Sequence, residues 1–266
     1  MRRTVATIVV CLAAVSCARV EAQEPVAIAT TRQSTTTTTT TLPPSTTTST
    51  AVTTTTQVEL DVDSLPEGSS LVLGAREPVA VFAEPGQLDP VLTLDPTTYL
   101  GSTTVLTVLD GPDEGWARVM LPGRPNGSEG WVRSDDMVIF VVEGRLVVDL
   151  SDRTLAYYEG KSEVLSTPVA VGSGRNPTPT GTFFVTDNVT LSDPESIWGP
   201  HALGLSARSD TITEYRGADG IIGIHGTNRP GSIGEAASLG CVRVPNEVIT
   251  RLHELVRIGT PVEIRA

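Results

Sequence analysis

The sequence predicts a mostly β protein with one or two short helices. From about residue 75 onward, short runs rich in Val, Thr, Phe and Trp are separated by clusters of Gly, Pro, Asp and Asn, a pattern typical of short strands joined by tight turns. Clear helical spacing occurs near the C-terminus, in a run that begins at Asn246 and ends by Gly259. Its apolar face comprises Val248, Ile249, Leu252, Leu255 and Val256. We therefore expect a small β-barrel over residues 75–138 and a larger β domain over residues 139–266.

Residues 1–22 have the pattern of a signal peptide. Arg2 and Arg3 precede an apolar run that is short for a membrane span, and small residues follow it. Residues 14–17, Ala-Val-Ser-Cys, resemble a bacterial lipobox, in which Cys17 would carry the lipid. The alternatives are cleavage near Ala22 and an uncleaved N-terminal anchor. In each case we expect export to the outer side of the membrane, with anchoring through Cys17 as one possibility.

Residues 23–70 are expected to be a disordered linker. Runs of Thr dominate this stretch, and it has no apolar period that could bury a core. The Thr- and Pro-rich composition also matches that of an O-glycosylated stalk. A tether of this kind suits a domain that works at a distance from the membrane.

The charge and the residue spacing exclude several kinds of partner. A formal net charge of -12 argues against nucleic-acid binding, which needs a basic face. The chain contains three His residues and has no H-x-x-x-H or C-x-x-C spacing, so we expect no metal site. It also lacks a phosphate-binding glycine loop and a G-x-S-x-G elbow, so no cofactor is expected. The sequence does not indicate an oligomeric state.

The predicted barrel over residues 75–138 contains two related motifs. Gly115-Trp116 and Gly130-Trp131-Val132 resemble the Gly-Trp motifs of bacterial SH3-like domains. The resemblance implies cell-wall binding, partner binding or a spacer role, and the sequence does not rank these. Trp116 and Trp131 are expected to be core or groove aromatics.

The candidate reactive residues lie in the C-terminal half of the domain over residues 139–266. The stretch 186–220 is long for a connection and is expected to form a lid or a binding wall. Residues 221–224 predict a short buried strand that ends at His225. The S-x-x-E spacing from Ser232 to Glu235 predicts a short helix through Ala236 and Ala237, just before Cys241. Pro261 begins a predicted closing strand.

His225 and Cys241 are the candidate reactive pair. Cys11 and Cys17 lie in the signal region, so Cys241 is the one thiol of the predicted folded part. A thiol becomes a nucleophile when it ionises, and a nearby imidazole is the usual base. A buried structural cysteine is the alternative. The backbone N–H groups of Gly240 and Cys241 could hold an oxyanion, and Arg243 could bind a carboxylate or pair with a surface acid. Of the other histidines, His253 is expected to be solvated, whereas His201 could line a site.

Three motifs together resemble the L,D-transpeptidase (YkuD-type) family. They are Ile224-His225-Gly226-Thr227, Ser238-Leu239-Gly240-Cys241-Val242-Arg243 and, upstream, Thr178-Pro179-Thr180-Gly181-Thr182-Phe183. The resemblance implies a β-sandwich-like catalytic fold in which Cys241 is the nucleophile, His225 transfers protons and the Gly226 carbonyl orients the imidazole. Arg243, Ser238 and Thr227 are the implied substrate-binding residues. Leu239 stands where relatives carry Lys or His, which affects the expected substrate preference.

The reaction implied by this resemblance is acyl transfer on peptidoglycan stem peptides. Cys241 would form a thioester with a donor stem and expel D-alanine, and an amine of a neighbouring stem would complete a 3→3 cross-link. Carbapenems would be expected to acylate Cys241. The alternative is a non-catalytic wall-binding lipoprotein that works through its SH3-like domain. The presence of His225, Gly240, Cys241 and Arg243 favours the enzyme.

Overall fold

The computed structural model describes residues 65–266. The predicted signal peptide, Cys17 and the linker as far as residue 64 lie outside the described residues. The N-terminal half of the described chain consists of β1 (Ser69–Gly74), β2 (Val79–Val81), β3 (Leu92–Leu94), β4 (Val105–Asp113), β5 (Trp116–Met120), β6 (Glu129–Arg133) and β7 (Val138–Glu143). Among residues 65–266, no helix has the length and apolar character needed to cross a bilayer.

The C-terminal half carries ten strands and one α-helix. These elements are β8 (Arg145–Asp149), β9 (Thr154–Glu159), β10 (Ser162–Pro168), β11 (Val171–Gly172), β12 (Gly181–Thr190), β13 (His201–Arg208), β14 (Ile221–His225), β15 (Ala236–Ser238), β16 (Val242–Arg243), α1 (Asn246–Leu255) and β17 (Pro261–Arg265). The prediction of a mostly β fold is confirmed. The strand predicted before His225, the C-terminal helix and the closing strand are all present.

The N-terminal half contains a five-stranded sheet, in the order β6-β5-β4-β1-β7, and a separate two-stranded sheet of β2 and β3. The apolar face of the five-stranded sheet buries Leu71, Leu73, Leu106 and Val119 in a core separate from that of the C-terminal half. The sheet extends beyond the predicted range 75–138 at both ends, because β1 pairs along its length with β7. Strand β1 begins at Ser69, which is within two residues of the predicted end of the linker at residue 70. An SH3-like character for this sheet stays a prediction.

An eight-stranded sheet, in the order β10-β9-β8-β17-β12-β13-β14-β16, forms the C-terminal half. The closing strand β17 lies between β8 and β12, so the last residues of the chain complete the middle of the sheet. Helix α1 buries Ile249 and Leu252 in the same core as Ile224 and Val242. This packing fixes the edge of the sheet where β14 and β16 run parallel.

Two sequence predictions for this half are wrong. The stretch 186–220 contains the end of β12 and all of β13, so only residues 191–200 and 209–220 are loops. Buried polar residues and small residues in these strands hid their β pattern. The helix predicted through Ala236 and Ala237 is instead strand β15, which pairs in parallel with β11. Ser232 donates its hydroxyl to the Arg229 carbonyl at 2.7 Å and caps no helix.

Candidate active site

His225 ends strand β14 and is almost fully buried, with 4% of its surface exposed. Its Nδ1 lies 2.6 Å from the carbonyl oxygen of Gly226, so the neutral ring donates from Nδ1 and keeps the Nε2 lone pair as an acceptor. The indole of Trp198 lies against the ring, with centroids 4.4 Å apart. Burial lowers the pKa of His225 to about 4, although the Gly226 carbonyl opposes that shift, and the positive charge of Arg243 lowers the pKa further. The imidazole is therefore neutral at neutral pH.

The turn after His225 is held by one hydrogen bond to Asn246 and by two further hydrogen bonds. The Asn246 side-chain oxygen accepts the N–H of Thr227 at 2.7 Å, which fastens the turn to the first residue of α1. Thr227 in turn accepts the N–H of Arg229 at 3.0 Å with its own hydroxyl. The N–H of Gly226 points to the carbonyl of His201 at 3.4 Å. These bonds hold the Gly226 carbonyl in place beneath the His225 ring.

Cys241 is presented by a tight turn between β15 and β16. Ser238 donates its hydroxyl to the Cys241 carbonyl at 2.6 Å and accepts the N–H of Gly240 at 3.0 Å. Gly240 has φ +118, a conformation that favours glycine, and a Cβ there would come within 3.0 Å of Ile222. Thr178 donates its hydroxyl to the Gly240 carbonyl at 2.8 Å. The upstream Thr-Pro motif therefore supports the cysteine turn directly.

The thiol and the imidazole open into one pocket. Its walls comprise Ile197, Trp198, Ser209, Ile212, Tyr215, Gly220, Ile221, Ile222, His225, Ser238, Leu239, Cys241 and Arg243. Cys241 is partly exposed in this pocket. Among residues 65–266, no hydrogen bond joins His225 to Cys241, and such contacts often tighten only when a substrate binds.

The Cys241 thiol is protonated at rest. Burial raises its pKa, while the backbone N–H of Gly223 and the positive charge of Arg243 act in the opposite direction. A neutral thiol therefore faces a neutral imidazole. Within residues 65–266 the guanidinium of Arg243 has no hydrogen bond or ion pair, so its charge is available to an anionic group in the pocket.

The structure places His225, Cys241 and Arg243 around one pocket and sets the Gly226 carbonyl against the His225 ring, while the catalytic roles of these residues stay predictions. It corrects the predicted roles of three other residues. Thr227 is buried and its polar groups complete the turn, so it does not line the pocket. Ser238 lines the pocket, but its hydroxyl is occupied by the cysteine turn. The Gly240 N–H, which was one of the two predicted oxyanion donors, donates instead to the Ser238 hydroxyl. The Cys241 N–H is the remaining predicted donor.

The two remaining histidines lie together, away from this pocket. The rings of His201 and His253 stack with centroids 4.0 Å apart, and Thr190 contacts both. His253 also contacts the side-chain oxygen of Asn188 and is only partly exposed, so it is less solvated than expected. Burial lowers the pKa of both rings. Within residues 65–266, His201 contacts the site through its backbone carbonyl, which accepts the N–H of Gly226 at 3.4 Å.

Sequence reasoning missed the aromatic wall of the pocket. Trp198 contacts His225, and Tyr215 lies edge-on to Trp198 with centroids 6.3 Å apart. Both residues belong to the stretch that was expected to form a lid or wall, and that general expectation holds for its two loops. The available signal was an aromatic residue in each loop, but spacing along the chain does not show that they meet.

A thiol, an imidazole and an unpaired guanidinium that share one pocket in a mostly β fold define an enzyme with a Cys–His site. A family model described as the L,D-transpeptidase catalytic domain matches residues 143–264. A YkuD protein of Bacillus licheniformis, named as an L,D-transpeptidase, is 32% identical over 154 residues, which cover 55% of this chain and 85% of that protein. Its namesake in Bacillus subtilis is 29% identical over 151 residues, covering 54% and 84%. The chain belongs to the YkuD-type L,D-transpeptidase family and is an enzyme of that class.

A solved structure gives a more distant comparison. An L,D-transpeptidase from Mycobacterium smegmatis is 17% identical, with a TM-score of 0.38, over 61% of this chain and 90% of that one.

Proposed function

We propose that this protein is an exported peptidoglycan L,D-transpeptidase that forms 3→3 cross-links, or attaches amines to stem peptides, through a thioester on Cys241. The observation that carries the proposal is the contact between His225 Nδ1 and the Gly226 carbonyl. That contact leaves Nε2 as the one basic ring nitrogen in a pocket that Cys241 shares.

In the acylation step, His225 Nε2 takes the proton of the Cys241 thiol as the sulfur attacks the carbonyl carbon of the donor stem's terminal peptide bond. A carbon–sulfur bond forms, and the carbonyl oxygen becomes an oxyanion. The Cys241 N–H is the proposed donor to that oxyanion. The intermediate collapses when the C–N bond breaks, and the imidazolium returns its proton to the departing D-alanine amine.

In the second step, an amine replaces D-alanine. A side-chain amine of a neighbouring stem attacks the thioester carbon, His225 accepts the proton released by the amine, and the Cys241 thiolate is expelled and reprotonated. Water or another amine could replace the stem amine as the acceptor and attack the thioester carbon by the same route. Because its pKa is about 4, the His225 imidazole is neutral at neutral pH and its Nε2 is available to accept a proton at each step, although the same low pKa makes it a weak base.

Arg243 is proposed to bind a carboxylate of the donor stem. Arg243 lines the pocket, and its guanidinium is the one charged group among the lining residues. A charge-assisted pair would hold the scissile bond near the thiol. Leu239 is 52% exposed and places an apolar side chain at the pocket.

Export rests on the N-terminal sequence. The signal-peptide pattern of residues 1–22 supports a location on the side of the membrane where peptidoglycan lies, and Cys17 is the proposed site of a lipid anchor. The Thr-rich stretch that follows would give the catalytic domain reach from the membrane.

The test is intact-mass spectrometry of the full-length chain after incubation with a carbapenem and, separately, with a synthetic stem tetrapeptide. We expect an adduct of one drug mass and, with the tetrapeptide and an amine acceptor, release of D-alanine. Cys241→Ala should give neither product, and His225→Gln should form the adduct far more slowly. Cys241→Ser serves as the matched variant that keeps the shape of the side chain.

A folded, reduced wild-type protein that forms no adduct and releases no D-alanine would overturn the proposal. That result would favour the non-catalytic wall-binding alternative. That alternative predicts that binding to isolated cell walls is unchanged by Cys241→Ala.

A further inference from the structure

The loop over residues 209–220 forms one wall of the active-site pocket. It contributes Ser209, Ile212, Tyr215 and Gly220 to the lining. Tyr215 faces Trp198, which packs on His225. The position of this loop therefore sets the width of the pocket opposite Cys241.

Arg124, from the connection between β5 and β6 in the N-terminal half, binds this loop at three points. Its Nη1 donates to the Asp219 carbonyl at 2.6 Å, and its Nη2 donates to the carbonyls of Ser209 at 2.8 Å and Ile212 at 3.0 Å. The three carbonyls lie at the beginning, in the first turn and near the end of the loop. One planar guanidinium thus closes the base of a twelve-residue loop, a geometry that a point-like ammonium cannot reproduce.

The neighbours of Arg124 continue the same contact along β13. Asn126 makes a two-way pair with the backbone of Arg208, donating to its carbonyl at 2.8 Å and accepting its N–H at 2.8 Å. The N–H of Gly123 donates to the Ser206 carbonyl at 3.2 Å. These bonds fall where β13 and β14 lose their regular register, between Gly204 and Arg208. The N-terminal half therefore provides backbone partners that β14 does not supply.

The loop has little room to adopt another arrangement at its closing end. Gly220 has φ +72, and a Cβ there would lie 2.0 Å from the Ile212 carbonyl and 2.8 Å from Arg124 Nη2. Asp219 also forms an ion pair with Arg208 at 2.6 Å. The backbone is thus packed tightly around the guanidinium, although Arg124 as a whole is exposed.

We infer that Arg124 is a positioning residue of the acyl-transfer site, which holds the 209–220 loop so that its wall of the pocket fits the donor stem. This makes the N-terminal half part of the active-site architecture and extends its role beyond wall binding or spacing. The inference rests on the proposed reaction at Cys241, because its kinetic effect is expected on that reaction.

The test compares the full-length wild type with Arg124→Met, Arg124→Lys and, as a matched control, Arg118→Met. Arg118 lies in the same half, where its exposed side chain pairs with Glu129 and Asp110 and, within residues 65–266, makes no hydrogen bond to the loop. For Arg124→Met we expect kcat/KM for the stem tetrapeptide to fall about 10- to 100-fold, the scale at which a displaced binding wall affects rate. Most of the loss should appear in KM, because the loop touches substrate and not the transferred protons. Arg124→Lys should restore only part of the activity, and Arg118→Met should match the wild type.

Three further measurements do not depend on the reaction. Hydrogen exchange of the backbone amides over residues 209–220 should become faster in Arg124→Met and stay unchanged in Arg118→Met. Chemical denaturation of Arg124→Met should give a wild-type-like unfolding transition, which shows that the variant is folded, and iodoacetamide should alkylate Cys241 at the wild-type rate.

The outcomes separate this inference from the proposed function. If Arg124→Met has the same kcat/KM and the same hydrogen exchange as the wild type, the inference is overturned and the proposed reaction at Cys241 is unaffected. A wild-type protein that does not process the tetrapeptide would overturn the proposed function, and the exchange data would then decide alone whether Arg124 holds the loop. Equal loss in Arg118→Met would show a general effect of the N-terminal half and would also overturn the specific role of Arg124.

Discussion

Gly199 and Gly226 pack backbone against backbone beside the reactive imidazole. A Cβ on Gly199 would lie 2.7 Å from the Gly226 Cα and 2.6 Å from the Asn246 side-chain oxygen, and Gly199 has φ +67. Through this contact the 191–200 loop, which carries Trp198 near its end, packs on Gly226. The carbonyl of Gly226 accepts the hydrogen bond from the His225 ring. The position of the aromatic wall and the orientation of the imidazole are therefore coupled.

Gly199→Ala is expected to lower the free energy of unfolding by about 2 to 4 kcal/mol, through left-handed backbone strain and the clash with Gly226. Chemical denaturation of the full-length chain measures this change. Acylation by a carbapenem should slow as well, because the Gly226 carbonyl is displaced. The control is Gly174→Ala, since a Cβ at Gly174 would meet no atom within 4 Å. A Gly199→Ala protein as stable and as reactive as the control would show that the two glycines are not in contact.

The central pair of the site could be predicted because its signals are local. His225 follows a short apolar run, and Cys241 lies within a Gly-containing turn, so each residue's setting is visible within a few positions. The strands that carry them then pair directly, with His225 opposite Arg243. The contact between Thr178 and Gly240, by contrast, joins residues 62 positions apart and has no local signal beyond the motif itself.

The errors came from places where tertiary contacts override local patterns. The S-x-x-E spacing favoured a helix at Ala236, yet Val171 donates its N–H to the Glu235 carbonyl at 3.0 Å and draws this segment into a strand. Pro125-Asn126-Gly127 is a cluster of turn residues, yet the Asn126 side chain binds the backbone of Arg208, 82 residues away. Turn residues carry no pattern that indicates a distant partner.

Asn246→Ala is expected to destabilise the protein by about 1 to 2 kcal/mol, because the partly buried backbone N–H of Thr227 loses its hydrogen-bond acceptor. Asn246→Asp keeps an oxygen in the same place and adds a negative charge at the start of α1, where the helix dipole favours it. Thermal unfolding of the two variants should rank Asp above Ala. If Ala is as stable as the wild type, the Asn246–Thr227 bond does not support the turn after His225.

The stability of the protein should fall on acidification because of His225. Its folded-state pKa of about 4 lies below the ordinary value of 6.5, so between these two values the unfolded chain binds a proton that the folded state excludes. The stabilisation is complete above pH 6.5 and is lost as the pH falls towards 4, on the order of 3 kcal/mol in total. Urea denaturation at a series of pH values measures the slope.

His225→Gln isolates this contribution from those of His201 and His253, whose pKa values are also lowered. The variant should show a shallower fall in stability between pH 6.5 and 4 than the wild type. Parallel curves for the two proteins would contradict a depressed pKa at His225.

Thr178→Val should loosen the turn that presents Cys241. The Thr178 hydroxyl donates to the Gly240 carbonyl at 2.8 Å and accepts the N–H of Gly172 at 2.8 Å, in a site where Thr178 is 4% exposed. Valine keeps the shape but leaves both groups unpaired, at a cost of about 2 kcal/mol, whereas Thr178→Ser keeps the hydroxyl and loses one methyl group, at about 1 kcal/mol. Chemical denaturation should therefore rank the wild type above Ser and Ser above Val, and carbapenem acylation of Cys241 should follow the same order. The reverse order of Ser and Val would mean that the methyl packing of Thr178, and not its hydroxyl, supports the cysteine turn.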